Sequence, residues 1–221
     1  MTTQPSYFFS LQDYAHRELF EGITHVWEAL DRIQPYLQKL KPLLKVDLPA
    51  GVYVENPSLI YLGQGVTIEP GAFIRGPCII GDGSIIRHGA YVRGGVITGK
   101  NCVIGHSTEI KQSILLDNVC AAHFNYVGDC ILGNQVNLGA GVKCANLRLD
   151  HKNVWVRIGE EKFDTGLKKF GAIIGDRVQL GCNCVTNPGT LLGPGVLSAP
   201  CQTITGFAKR RAGLPTHSLT S

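Results

Sequence analysis

Three basic residues recur at a constant interval in this chain. Arg75, Arg93 and Lys111 follow one another at a spacing of eighteen positions. A fold that repeats every eighteen residues would stack them at one corner, about 4.8 Å apart. Arginine offers phosphate a fork of donors and lysine offers a point charge, so this column could bind a phosphorylated ligand. A basic edge that is merely screened by water and salt is the alternative, and the spacing favours neither interpretation.

One histidine lies where the chain loses an otherwise regular spacing. The spacing contracts between Ala122 and Leu132, and His123 immediately follows the first of these residues. A loss of register in a regular β fold indicates a bulge, and bulges re-aim side chains near functional sites. His123 is therefore the candidate general base, because an imidazole titrates near neutral pH. A surface histidine without a chemical role is the alternative.

A six-residue repeat positions these side chains. It runs without a break from Leu62 to Ala122, and nine of its eleven positions are Leu, Ile or Val. The repeat resumes at Leu132 and again from Ile174 to Ile204. A fixed short period predicts a hexapeptide β-helix, an all-β solenoid in which three hexads make one coil. Branched side chains should fill the coil, and glycine or small polar residues should turn its corners.

The segments outside the repeat complete the expected domain organisation. Residues 1–47 predict a short helical segment that caps the open end of the coil, with helices over Leu11 to Phe20 and over His25 to Lys41. Residues 48–210 should form the β-helix, and residues 211–221 should form a C-terminal tail. We therefore expect one elongated domain with a small appendage.

Residues 147–168 interrupt the repeat and predict an extruded β-hairpin. Val154 to Ile158 alternates as a strand, and Lys162 to Asp164 can return after a turn that contains glycine. Trp155 and Phe163 cannot both be buried on an isolated ribbon, so we expect the hairpin to reach a neighbouring subunit.

Composition argues against several classes of function. The formal net charge is only +4 and no run of Lys or Arg exceeds three residues, which is not typical of a nucleic-acid-binding protein. No apolar stretch approaches membrane-spanning length and no leader is apparent, so a cytoplasmic location is expected. The pair Cys182 and Cys184 lacks partners at zinc-ligand spacing, and Cys78, Cys102 and Cys120 fall where the repeat needs a small apolar side chain. A metal site is not expected.

Three segments carry a resemblance to a known family. The run HFNYVGDCILGNQVNLGA from His123 to Ala140, CAN at 144–146 and KKFGAIIGD at 168–176 resemble the acetyltransferase half of the bifunctional glucosamine-1-phosphate N-acetyltransferase and N-acetylglucosamine-1-phosphate uridylyltransferase. The segment at 154–176 is still more similar to sugar-1-phosphate nucleotidylyltransferases with an acetyltransferase tail. The resemblance spans roughly residues 55 to 205. It implies a left-handed parallel β-helix and homotrimers whose active sites lie between neighbours.

The resemblance also implies catalytic and cofactor-binding residues. His123 matches the histidine that takes a proton from the attacking sugar amine. Asn137 and Asn146 match the asparagines near the amine and the acetyl group. Acetyl-CoA is the implied cosubstrate, and Ala140 and Cys182 fall in the stretches that would contact it.

The substrate-binding residues follow in the same way. Arg93 and Lys111 align with the cations that bind phosphate in the family, and they are two members of the column described above. Tyr126 matches the tyrosine that lines the sugar-phosphate pocket. Lys169 matches a lysine offered to the phosphate from an adjacent chain, and Lys168 could share that role.

The function implied by the resemblance is acetyl-CoA-dependent N-acetylation of an amino-sugar 1-phosphate. The substrate would be either glucosamine-1-phosphate or galactosamine-1-phosphate. The reaction would supply N-acetylhexosamine for cell-envelope sugar nucleotides. No glycine-rich phosphate loop precedes the coil, so uridylyl transfer is not expected. The acyl step needs no metal. Two alternatives remain, namely an acyltransferase for another sugar or sugar nucleotide and a non-catalytic trimeric scaffold.

Overall fold

In a computed structural model that describes residues 3–39 and 48–209, the repeat folds into a parallel β-solenoid with three sheets. Sheet A contains the strands Tyr53–Glu55, Phe73–Arg75, Tyr91–Val92, Glu109–Lys111, Tyr126–Gly128, Lys143–Cys144, Val185–Thr186 and Thr203–Ile204. Sheet B contains Ile60–Leu62, Cys78–Ile80, Val96–Thr98, Ser113–Leu115, Ile131–Leu132, Ala172–Ile174, Thr190–Leu192 and Phe207–Ala208. Sheet C contains Thr67–Ile68, Ile85–Ile86, Val103–His106, Cys120–His123, Asn137–Leu138, Gln179–Leu180 and Leu197–Ser198. The predicted β-helix of hexapeptide repeats is confirmed.

Each coil passes through sheets A, B and C in turn, and the repeat positions point into it. Ile74 pairs with Val92, and Val92 pairs with Ile110, at the expected eighteen-residue separation. All three are fully buried in one apolar core. Parallel strands that bury one face need branched side chains at that face, which the repeat supplies.

The contraction predicted between Ala122 and Leu132 is confirmed only in part, because one of two shortenings lies there and the other comes earlier in the chain. Ile110 pairs with Val127, seventeen positions on, and the inward residues of the intervening strands are Leu115 and Ala121 rather than Leu116 and Ala122. The chain shortens twice, from Ile110 to Leu115 and from Val127 to Leu132, each time at the corner between sheets A and B. This slip also leaves Cys120 only half-buried, whereas a core position was predicted.

The N-terminal helices differ from the prediction. The described elements are the α-helices Pro5–Phe8 and Ala29–Gln38 and the 3₁₀ helices Arg17–Phe20 and Val26–Glu28, with one further 3₁₀ turn at Pro57–Leu59. The helix predicted from Leu11 is wrong, because only its last four residues are helical. Ser10 donates its backbone N–H to Asp176 Oδ2 at 2.8 Å, so this part of the chain is tied to the coil instead of starting a helix. The predicted end of the second helix, at residues 40 and 41, lies outside the described residues.

The N-terminal segment, residues 3–39, covers the outer face of sheet B and not the open end of the coil. The outward residues of sheet B are apolar and share a core with this segment: Ile79, Ile97, Ile114, Ile131, Ile173 and Leu191. The predicted end cap is therefore wrong. A sheet whose strands are apolar on both faces must be covered on both, and residues 3–39 provide the second layer.

The predicted hairpin is confirmed, but its predicted destination is not. Trp155–Ile158 pairs antiparallel with Glu161–Asp164. Val156 and Ile158 are buried in the same core as the N-terminal segment, and the Phe163 ring lies 6.0 Å from that of Trp27. The apolar face of the hairpin is thus covered by its own chain, so it does not require a neighbouring subunit.

Two further observations concern the limits of the fold. The predicted tail at 211–221 lies outside the described residues. Among the helices that the structure describes, none has the length and apolar character needed to cross a membrane.

Candidate active site

The three basic residues stack at the corner between sheets A and B, as their spacing predicts. We call Arg75, Arg93 and Lys111 the cation corner. Each cation contacts a carboxylate: Arg75 with Glu55 at 2.8 Å, Arg93 with Glu109 at 2.5 Å and Lys111 with Asp129 at 2.5 Å. These carboxylates offset the repulsion within the column. The hydrogen bond to Glu109 also raises the pKa of Arg93.

Asp129 joins several of the predicted residues into one cluster. It is 6% exposed, and its Oδ2 atom accepts hydrogen bonds from Lys111 Nζ and from Asn146 Nδ2. The Asn146 amide nitrogen also donates to the Tyr126 hydroxyl at 3.3 Å. Burial raises the pKa of Tyr126, so the phenol stays protonated at neutral pH. Sequence reasoning missed Asp129, although it stands in the left-handed conformation, with φ of 54°, at a shortened corner.

His123 lies at the other end of sheet A, at the corner that follows sheet C. Its side chain is exposed at the end of the strand Cys120–His123. Asn125 is 2% exposed and accepts the His123 backbone N–H at 3.3 Å while donating to the Gly139 carbonyl at 2.8 Å. Asn125 therefore links this corner to the next coil. It is a second residue that sequence reasoning missed.

A column of histidines continues from His123 along its corner. His123 pairs with His106, and the His106 and His88 rings are parallel with centroids 5.6 Å apart. The Nδ1 atom of His106 lies 2.9 Å from the His88 carbonyl oxygen, and that of His88 lies 2.7 Å from the Pro70 carbonyl oxygen. A carbonyl oxygen only accepts, so both Nδ1 atoms donate and both rings are held against the coil.

The predicted cofactor positions fall in line with His123. The pairing of Ala121 with Leu138 and of Leu138 with Leu180 places Ala140 one coil beyond His123, and Cys182 one coil beyond Ala140. Cys182 is exposed and Ala140 is half-buried. Asn137 is half-buried on the outer face of sheet C, two residues before this corner.

The two predicted lysines lie beside Asn146 of the same chain. Lys168 and Lys169 are exposed where the hairpin returns to the coil. Lys169 bridges to Leu147, and the Phe170 backbone N–H donates to the Asn146 carbonyl at 2.9 Å. The structure therefore places both lysines next to the Asp129 cluster within one chain.

The described residues offer no metal site. Within residues 3–39 and 48–209, no three His, Cys, Asp or Glu side chains are arranged to hold a metal ion.

Comparison with known proteins gives the family. A model of the GMPPB C-terminal domain matches residues 74–193. The bifunctional protein GlmU of Methanococcus aeolicus is 37% identical over 167 residues, which cover 76% of this chain and 40% of that protein. The bifunctional sugar-1-phosphate nucleotidylyltransferase/acetyltransferase of Sulfurisphaera tokodaii is 38% identical over 81 residues, 37% of this chain and 20% of that protein. The chain thus spans two fifths or less of the length of these relatives.

A solved structure also resembles the chain. The UDP-N-acetylglucosamine acyltransferase of Francisella novicida aligns with a TM-score of 0.48 at 15% identity, covering 71% of this chain and 60% of that one. The family match contains the cation corner and His123. Because that match covers more than half of the chain, the protein belongs to the GMPPB C-terminal domain family, and its predicted resemblance to the sugar-1-phosphate nucleotidylyltransferase/acetyltransferases is confirmed.

Proposed function

We propose that the chain is an acetyl-CoA-dependent N-acetyltransferase that acts on an amino-sugar 1-phosphate. The observation that carries this proposal is that His123 and the cluster around Asp129 lie at the two ends of one strand. His123 precedes the strand Tyr126–Gly128, and Asp129, which contacts Lys111, follows it. The names of the similar proteins, which pair sugar-1-phosphate chemistry with acetyl transfer, support the same substrate class.

In this proposal the cation corner holds the phosphate. Arg93 is exposed and uses one guanidinium nitrogen for Glu109, which leaves further donors for a phosphate oxygen. Lys111 supplies a second positive charge one coil away. Tyr126 lines the same region, and Lys169 or Lys168 from a neighbouring chain would complete the acceptor site.

His123 would act as the general base. As the sugar amine attacks the thioester carbonyl, a C–N bond forms and the imidazole takes a proton from the nitrogen. Backbone N–H groups at 139–141 and the Asn137 side chain would stabilise the tetrahedral oxyanion, with Asn146 near the amine. The C–S bond then breaks, and the coenzyme A thiolate leaves and is protonated. Ala140 and Cys182, in line with His123, would contact the cosubstrate.

The test of this function is a thiol-release assay with acetyl-CoA. The acceptors are glucosamine-1-phosphate, galactosamine-1-phosphate, the matching 6-phosphates and a nucleotide-linked amino sugar. Thiol release with one of the 1-phosphates and with no other acceptor is expected. A preference for the nucleotide-linked sugar would replace the proposed substrate with a sugar nucleotide.

Replacing Arg93 or Lys111 with alanine is expected to raise the KM for the sugar phosphate far more than the KM for acetyl-CoA. A charge-assisted hydrogen bond to phosphate contributes roughly 1.5 to 3 kcal/mol, so the rise should be about 10- to 100-fold. Steady-state kinetics with each substrate varied in turn provide the measurement. Lys100→Ala is the matched control, because Lys100 lies at another corner with its side chain 55% exposed. Equal effects on both substrates would make the column structural.

We also propose a cytoplasmic homotrimer whose sites are shared between chains. Inactive His123→Ala chains mixed with inactive Lys169→Ala chains should then recover activity once subunits exchange. In a random trimer about a quarter of the interfaces pair an intact His123 with an intact Lys169 of the neighbour, so about a quarter of wild-type activity is expected. If mixed trimers form but stay as inactive as their parents, Lys169 serves the site of its own chain, beside Asn146.

A further inference from the structure

The N-terminal segment lines the cation corner as well as covering sheet B. A groove of about 440 Å³ runs along this corner, bounded by Arg75, Arg93, Lys111 and Asp129. Its wall also includes Pro77, Gln112 and Gln34, and Gln34 is an exposed residue of the helix Ala29–Gln38. A residue far from the coil in sequence thus lies beside the groove's three cations.

A chain of amides holds Gln34 in this place. Gln34 Nε2 donates to Gln112 Oε1 at 2.9 Å, and Gln112 Nε2 donates to the Leu30 carbonyl at 3.3 Å. The pair passes over Gly95, where a Cβ atom would lie 2.3 Å from Gln112 Oε1 and 2.9 Å from Gln34 Nε2. A side chain at position 95 would displace both amides, so Gly95 allows the pair to lie in this place next to Arg93.

Within residues 3–39 and 48–209, the second N–H donor of the Gln34 amide has no protein partner. A primary amide carries two N–H groups, and one of them is used by Gln112. Among the described residues, no acceptor for the other is found. A neutral donor beside three cations, at the edge of an open groove, complements an anion that the cations attract.

We propose that Gln34 is a phosphate-binding residue of the acceptor site, and that helix Ala29–Gln38 therefore forms part of this site. The proposal rests on the amino-sugar phosphate function given above. Gln34 donates one N–H to a phosphate oxygen, while Gln112 fixes the orientation of its amide. The chemical group recognised is a terminal phosphate.

Three substitutions that place a neutral, a negative or a positive side chain at position 34 test the role of Gln34. Gln34→Ala should raise the KM for the sugar phosphate about tenfold, with kcat and the KM for acetyl-CoA unchanged. Gln34→Glu should raise it further, because a carboxylate repels phosphate, and Gln34→Lys should remain close to the wild type. Gln38→Ala, one turn further along the same helix and outside the groove, is the matched control and should behave as the wild type. A purely structural Gln34 would give three variants of similar KM, which would overturn the proposal.

Binding of inorganic phosphate separates this inference from the proposed function. Isothermal calorimetry on the full chain should show weaker phosphate binding in the order Gln34→Lys, Gln34→Ala, Gln34→Glu, whether or not any acceptor is turned over. A protein that shows this order but acetylates no amino-sugar phosphate would refute the function and keep the phosphate site. A protein that acetylates the sugar phosphate while all three variants bind phosphate as the wild type does would refute the role of Gln34 alone.

Discussion

Replacing His123 with alanine is expected to slow acetyl transfer by about 10²- to 10⁴-fold, which is the usual contribution of a general base. The side chain is exposed at a corner and makes no contact with the coil interior, so its removal should leave the fold intact. The measurement is kcat from thiol release, together with the sedimentation behaviour of the variant. The loss should appear in kcat rather than in the KM for either substrate, because the base acts in the transition state.

A matched control for this substitution lies on the same corner. His88→Ala removes an imidazole two coils away, where the ring is held by the Pro70 carbonyl. This variant should retain nearly wild-type turnover. If His123→Ala also retained it, the proton would have to go to another group, and His123 would leave the mechanism.

Replacing Phe8 with alanine is expected to lower the free energy of unfolding by about 3 to 5 kcal/mol, the range seen for buried phenylalanines. Phe8 is fully buried in the core between residues 3–39 and sheet B, with its ring 4.9 Å from that of Tyr7. Its carbonyl also accepts the Asp176 backbone N–H at 2.9 Å. Truncation would leave a cavity at the point where the N-terminal segment is fastened to the coil.

Urea unfolding followed by two probes measures this loss. Tryptophan fluorescence reports on Trp27, which is 3% exposed within the N-terminal segment, and on Trp155 of the hairpin, while far-ultraviolet circular dichroism reports on the coil. Phe124→Ala serves as the control, because Phe124 is 56% exposed and should cost less than about 0.5 kcal/mol. A Phe8 variant as stable as this control would contradict the docking of residues 3–39 on sheet B.

The parts of the fold that follow from the sequence are those governed by neighbouring coils. The stacking of Arg75, Arg93 and Lys111 could be predicted because each coil repeats the one before it. The place of the first register slip, between Ile110 and Leu115, could not be predicted. Leu115 and Leu116 are both fully buried, Leu115 inside the coil and Leu116 against the N-terminal segment. Two adjacent leucines with different partners look the same in a hydrophobic pattern.

The residues of the candidate site also fall into those that the sequence predicts and those that it does not. His123, Tyr126 and Asn146 could be named from a family motif, whereas Asp129 and Gln34 could not. Asp129 lies within the predicted contraction, but its contacts with Lys111 and Asn146 depend on the register of neighbouring coils, which the hydrophobic pattern did not give. Gln34 reaches the groove only because residues 3–39 lie along sheet B, and no spacing in the sequence predicts which face a separate helical segment covers. Such contacts depend on surfaces that exist only after the coil has formed.

The packing of residues 3–39 on sheet B also predicts an order in which the parts of the protein fold. Most contacts between neighbouring coils join residues about eighteen positions apart, and those across the hairpin join residues 42 positions apart, whereas the link from Ser10 to Asp176 spans 166 positions. Contacts between residues close in sequence form sooner than those that close long loops. The apolar residues of the N-terminal segment therefore have no complete partner surface until Leu191 has joined the coil. Residues 3–39 are therefore expected to dock last, although they precede the coil in the chain, and their apolar side chains stay exposed until the coil has formed.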